Sequence, residues 1–167
     1  MASAPRHIVV MGVSATGKTT IGVGIAERLG MEFIDGDSFH PKANIEKMSS
    51  GIPLDDDDRR PWLQALAEEI RRRDRAGIST VTACSALRRI YRDWLREGAP
   101  DLFFVHLHTD FDILRERMEK RQHFMPPSLL QSQFDTLEPL EGDEAGTVID
   151  DSMAFDEVLE ASLASLR

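Results

Sequence analysis

The sequence has a single cysteine, Cys84, a single tyrosine, and no apolar run near the roughly 18 residues that crossing a bilayer takes. One cysteine cannot close an internal disulfide, so a small disulfide-framed secreted fold is excluded. Residues 1–7 lack the apolar stretch of a secretory signal, which points to the reducing cytoplasm. Positive charge is also in deficit, and an acidic chain is a poor nucleic-acid binder by default. Residues 124–167 hold Arg167 alone against 10 Asp+Glu, whereas residues 1–123 balance 19 Lys+Arg with 19 Asp+Glu, so the whole net charge of −9 belongs to the last quarter. An acidic end of this kind reads as a solvated surface and leaves anion binding to the balanced, arginine-bearing first part. No repeat, low-complexity tract or Gly/Ser linker interrupts the chain. One domain over residues 1–167 is the economical expectation.

What is present alternates. His7–Met11 is a short β-branched run of buried-strand type, and residues 18–29 carry helical spacing that stops at Gly30. Glu32–Ile34 leads into Asp35-Gly36-Asp37, and a short helix over 42–49 precedes a Gly/Pro turn. Trp62, Leu63, Leu66 and Ile70 fall on one face of a helix running to about Ala76. Further strands are predicted over 78–83, 102–107 and 146–149, with helices over 87–96, 109–121, 128–134 and 154–166. Strands alternating with helices specify an α/β fold, a central parallel sheet of about five strands covered on both faces. Ligands in such folds gather beyond the carboxyl ends of the strands.

Gly12-Val13-Ser14-Ala15-Thr16-Gly17-Lys18-Thr19 matches G-x-x-x-x-G-K-[ST], the phosphate-binding P-loop, between a strand and a helix. Glycines let the backbone wrap a phosphate, amide N–H groups and the helix N-terminus point inward, Lys18 neutralises β/γ oxygens and the Thr19 hydroxyl reaches Mg2+. Average composition produces this pattern by chance in roughly one chain in a hundred of this length.

Asp35-Gly36-Asp37-Ser38-Phe39-His40 is the second constellation. Taken alone, Asp-Gly-Asp is a turn pattern. At a strand end beside a P-loop, the two carboxylates can divide two tasks, one near Mg2+ and one accepting a hydrogen bond from an attacking hydroxyl, which is what phosphoryl transfer asks of a protein. The run Asp55–Asp58 has a simpler reading as a helix N-terminus, where carboxylates cap amides and favour the dipole.

On these residues the chain resembles the thermoresistant-type bacterial gluconokinases. The resemblance rests on His40-Pro41, Asn44-Ile45-Glu46-Lys47-Met48, Asp56-Asp57-Asp58-Arg59, Pro61-Trp62-Leu63, Cys84-Ser85-Ala86-Leu87, Tyr91-Arg92-Asp93 and His123-Phe124-Met125-Pro126, and spans about residues 7–160. It implies a P-loop fold of nucleoside-monophosphate-kinase type with a lid over about 117–135, and ATP-dependent phosphorylation of D-gluconate at its 6-hydroxyl. It also implies a cytoplasmic homodimer feeding the pentose phosphate or Entner–Doudoroff routes, with no nucleic acid or membrane as partner. Carried over residue by residue, Gly12, Ser14, Ala15, Thr16, Gly17, Lys18, Thr19 and Thr20 would hold ATP, and Thr19 and Asp35 would serve Mg2+. Asp37 would partner the acceptor hydroxyl, with His40, Arg59, Arg88 and His123 around the substrate, and Arg117 and Arg121 on ATP. Lys18, Asp37 and Arg121 would be the catalytic groups. Arg121-Gln122-His123 lacks the glycine that family members carry before the lid histidine and is one residue shorter there.

Other chemistries of the same fold, shikimate-type or adenylylsulfate-type kinases, remain the alternatives within enzymes, although a shikimate-type site calls for a glycine-rich turn where Cys84-Ser85-Ala86-Leu87 stands. A nucleotide-dependent switch is disfavoured. The chain has no Asn-Lys-x-Asp motif and no basic stripe interleaved with aromatics.

Overall fold

The computed structural model describes residues 4–121 and 127–167. Five strands form one parallel sheet: β1 (His7–Met11), β2 (Glu32–Asp35), β3 (Thr80–Ala83), β4 (Phe103–His108) and β5 (Gly146–Asp150), in the order β2-β3-β1-β4-β5. The register runs Val9 opposite Thr82 and Phe104, with β5 completing the edge through His106 opposite Val148. The expected five-stranded parallel α/β fold is what the chain adopts.

Side chains of β1 alternate between two cores. Ile8 and Val10 pack with Val81, Val105 and Leu107 against α1 (Lys18–Leu29) and α7 (Phe155–Ser165). Val9 and Met11 face the other way, into α3 (Asp56–Arg75), α4 (Arg89–Arg96), α5 (Phe111–Arg121) and α6 (Pro127–Thr136). Since strand side chains alternate with period two, a β-branched run buried on both faces can only be a central strand with helices above and below. The helices that follow the adjacent strands β1 and β3 therefore lie on opposite faces, and the carboxyl ends of these strands open the crevice where the P-loop sits.

A short helix, α2 (Lys42–Ser49), follows a single 3₁₀ turn over Gly36–Phe39. The aspartate run does begin a helix. Asp55 accepts from the Asp58 amide at 2.8 Å while the Asp58 carboxylate accepts from the Asp55 amide at 3.0 Å, a reciprocal capping box.

The carboxylates of the acidic end are mostly exposed, as expected, and depart from that reading where they meet arginines and where Glu144 and Asp151 are buried. Glu144 lies buried against Arg92, Asp151 is buried against Arg117, Asp143 takes both Arg89 terminal nitrogens at 2.8 and 3.0 Å, and Glu138 reaches Arg88 at 3.4 Å. Distance in sequence hid proximity in space, because β5 brings residues 138–151 back beside β4 and α4. Glu144 and Asp151 thus neutralise arginines in the interior, while Asp143 and Glu138 do so at the surface.

Candidate functional site

The P-loop joins β1 to α1 through backbone that only special positions tolerate. Gly12 has φ 146°, and a side chain there would meet the Leu107 carbonyl oxygen at 2.6 Å. Gly17 has φ 83° and Ala15 φ 69°, so the loop turns tightly before the helix begins at Lys18. Lys18 Nζ donates to the Val13 carbonyl at 3.1 Å, the Thr16 hydroxyl donates to the same oxygen at 2.9 Å, and the Ser14 amide donates to Gln133 Oε1 at 2.7 Å. Burial pulls the Lys18 ammonium below its usual pKa, while the Asp37 and Asp151 carboxylates oppose that shift.

Asp37 owes its place to three neighbours. The Asp35 carboxylate caps the 3₁₀ turn by accepting from the Asp37 amide at 3.1 Å, and Trp62 Nε1 on α3 donates to the Gly36 carbonyl at 2.8 Å. The third is Gly36, where a Cβ would stand 2.3 Å from the Ala83 carbonyl oxygen at the end of β3. Gly36→Ala is therefore expected to push the turn off β3, lowering stability by about 1–3 kcal/mol and acceptor kcat/KM at least tenfold. Urea melts with steady-state kinetics measure both, and a variant indistinguishable from wild type would show that the turn has room to spare.

His40 stacks on Trp62 with ring centroids 3.9 Å apart and planes 19° from parallel. Its Nδ1 lies 3.2 Å from Asn44 Nδ2 and its Nε2 3.9 Å from Asp37. Burial lowers its pKa to about 4, so the ring is neutral at pH 7. Arg59, 9% exposed, donates to the Leu54 carbonyl at 2.5 Å and meets the Tyr91 hydroxyl at 2.9 Å, with its guanidinium 5.2 Å from the centre of the Tyr91 ring.

Lys18, Asp37, His40, Arg59 and Ser14 line one cavity of about 310 Å³, together with Trp62, Ser85 and Gln133. Four loops separated in sequence thus converge on one space at the strand ends. Among the described residues, no carboxylate from 135–160 lines it. A second cavity of about 260 Å³ lies on the far side of the P-loop, bounded by Ala15, Thr16, Gly17, Thr20 and Arg117 and also by Asp151, Met153 and Phe155. There Arg117 donates to the Asp151 carboxylate at 2.8 Å and its carbonyl at 2.6 Å, and comes within 3.4 Å of the Ala15 carbonyl.

Of the described residues expected around the substrate, Arg88 alone does not line the Lys18 cavity, though it shares a neighbouring space with Arg59. It donates to Asp56 at 2.6 Å and lines a third, more open space with Asp55, Asp57 and Glu138. Arg121 closes α5, with its side chain outside the described residues, as is His123. Thr19 and Asp35 are exposed oxygen donors at a helix start and a strand end. Two such oxygens suit Mg2+, which keeps several waters and shares phosphate oxygens instead of filling a protein cage. Among the described residues no group of three or more His, Cys, Asp or Glu could hold a metal ion by itself.

Sequence reading missed Gln133, Asp151 and His106 as members of this region. Gln133 and Asp151 sit in the acidic end, where charge counting hid them. His106 is 3% exposed on β4, and neither ring nitrogen has a hydrogen-bond partner among the described residues. Burial lowers its pKa to about 4. The unfolded chain takes up this proton near pH 6.5, so between pH 6.5 and 4 the unfolded state binds more protons and stability falls as pH drops. Replacing His106 with Phe is expected to shrink the stability loss between pH 7.5 and pH 5 by about 2 kcal/mol. An unchanged pH dependence in urea melts would remove His106 from the account.

Comparison with known proteins decides the family. A family model described as an AAA domain matches residues 8–140. A gluconokinase of Gluconobacter oxydans is 48% identical over 157 residues, covering 93% of this chain and 88% of the relative. The chain belongs to the gluconokinase family. The thermoresistant gluconokinase of Escherichia coli is 44% identical, with 96% of this chain and 91% of that protein aligned. The crystal structure of a gluconokinase from Sinorhizobium meliloti superposes with a TM-score of 0.89 at 50% identity, over 98% of this chain and 92% of that one.

Proposed function

We propose that this protein is an ATP:D-gluconate 6-phosphotransferase, a gluconokinase that converts D-gluconate and ATP to 6-phospho-D-gluconate and ADP. The observation that carries the reading is the single cavity in which the P-loop lysine, Asp37, His40 and Arg59 meet.

In this reading Gly12, Ser14, Ala15, Thr16, Gly17, Lys18, Thr19 and Thr20 hold the ATP phosphates. Mg2+, held by Thr19 and supported from Asp35, would neutralise charge on the β- and γ-phosphates. Lys18 stabilises charge on the phosphoryl group as it moves. Asp37 accepts the proton of the 6-hydroxyl as that oxygen bonds to phosphorus and the bond to the ADP oxygen breaks. Because His40 is neutral at pH 7, its role is to hydrogen-bond hydroxyls, and the gluconate carboxylate falls to Arg59, whose planar fork suits two oxygens. Arg117 and Arg121 belong to the ATP side in a lid over about 117–135, and His123 to the substrate side. Arg88 contributes to the substrate side only through the Asp56–Tyr91–Arg59 chain of hydrogen bonds. The protein acts as one domain over residues 1–167, as a cytoplasmic homodimer, and supplies the pentose phosphate or Entner–Doudoroff routes. No helix is long and apolar enough to cross a membrane among the described residues.

A coupled ADP-release assay over a panel of sugar acids, with shikimate and adenylylsulfate as controls, tests the reading. Gluconate is expected to raise turnover far above the others. Turnover with either control but not with gluconate would overturn it.

A further inference from the structure

We propose that the buried Arg92–Glu144 ion pair is a positioning device for the acceptor site, fixing the Ser85–Leu87 wall of the Lys18 cavity. The inference rests on the proposed function, which puts gluconate in the cavity that Ser85 and Leu87 help to line.

The wall is a stretch of irregular backbone between β3 and α4, and Ser85 and Leu87 both line the cavity. Its three successive carbonyls each have a different long-range or structural partner. The Ser85 carbonyl accepts from the Gly12 amide at the start of the P-loop at 3.2 Å. The Ala86 carbonyl accepts from Arg92 Nη1 at 2.8 Å, and the Leu87 carbonyl accepts from the Glu138 amide at 2.7 Å. Ala86 itself has φ 47°, a left-handed conformation that a residue with a Cβ holds only where its surroundings impose it.

Arg92 anchors its carbonyl directly, between the Gly12 and Glu138 anchors on either side. The guanidinium is completely buried, its Nε donates to Glu144 Oε2 at 2.7 Å and its Nη2 to Glu144 Oε1 at 3.0 Å, which leaves Nη1 aimed at Ala86. Glu144 is held in turn by Arg96 and by the Glu141 amide at 3.0 Å. A buried ion pair is a poor device for stability, because well-packed apolar residues of similar volume do as well or better. Its particular effect here is directional: the planar fork fixes one carbonyl of a cavity wall relative to α4 and the 138–144 segment. Lysine offers charge at this position without the fork.

The test uses the full-length enzyme and reads thermal midpoint, kcat, and KM for gluconate and for ATP. Arg92→Lys is expected to raise the gluconate KM about tenfold or more while the ATP KM stays within about twofold, since a wall displaced by a fraction of an ångström misplaces the acceptor and not the nucleotide. The double variant Arg92→Met with Glu144→Met is expected to keep a near-wild-type thermal midpoint and still show the raised gluconate KM. Should the double variant fail to fold, Glu144→Gln, which keeps the shape of the pair, is expected to give the same split. A folded variant with unchanged gluconate KM, or with both KM values rising in proportion to a loss of thermal stability, would overturn the proposal. If the wild-type enzyme used a different acceptor, the function reading would fall, and the same KM split measured on that acceptor would still decide the role of Arg92.

Discussion

Replacing Lys18 with alanine is expected to lower kcat by about a thousandfold or more, with a smaller change in stability. The expectation follows from where the ammonium sits. Burial lowers its pKa while Asp37 and Asp151 oppose that shift, and its one direct hydrogen bond among the described residues is to the Val13 carbonyl of its own loop. That bond holds the cation over the loop with no carboxylate ion pair among the described residues to break, so the charge is ready for phosphate oxygens. A charge in a site that excludes water counts for more than one at the surface, because the surrounding dielectric is low. Single-turnover measurement of phosphoryl transfer at saturating ATP checks this. A rate within tenfold of wild type would remove Lys18 from the transition state and the P-loop from the chemistry.

Asp37→Asn is expected to lower the chemical step by about a hundredfold to ten-thousandfold while leaving ATP binding close to wild type. The amide keeps the shape of the side chain and the 3₁₀ turn, whose cap comes from Asp35 and whose anchor is Trp62. What it loses is the ability to accept the hydroxyl proton. It also removes a negative charge beside Lys18, so the ammonium pKa moves further down; a rate that recovers as pH is lowered would separate this indirect effect from loss of the proton acceptor. An unchanged single-turnover rate would assign the acceptor proton to another group.

Much of this was legible in the sequence, and what was not has a common physical cause. The β1–P-loop–α1 unit is local: a buried strand, glycines at positive φ and a helix start lie within about twenty residues, so pattern and chemistry coincide. The Asp55–Asp58 cap was equally local. Helix α4, expected from Leu87, begins at Arg89, because the carbonyls of residues 85–87 are engaged by Gly12, Arg92 and Glu138 instead of by the next helical turn. Arg88 has a cation's chemistry wherever it points, and only the fold shows it answering Asp56 and Glu138. Among the mostly exposed carboxylates of the acidic end, Glu144 and Asp151 misled most, since charge counted along the chain says nothing about charge across β5.

The pairing of that end with the arginines bears on how the protein is made. Arg88 with Glu138 spans 50 residues, Arg89 with Asp143 spans 54, Arg92 with Glu144 spans 52 and Arg117 with Asp151 spans 34. A ribosome releasing this chain delivers each of these four arginines before its partner in the acidic end, and the P-loop more than a hundred residues before Asp151. A nascent chain halted near residue 137 would carry the complete phosphate-binding motif and most of the apolar core, yet it would hold Arg92 without Glu144 and a cavity wall without its Glu138 anchor. Possession of the signature and possession of a finished acceptor site are thus separate events in the life of the polypeptide, and the last thirty residues decide when the second arrives.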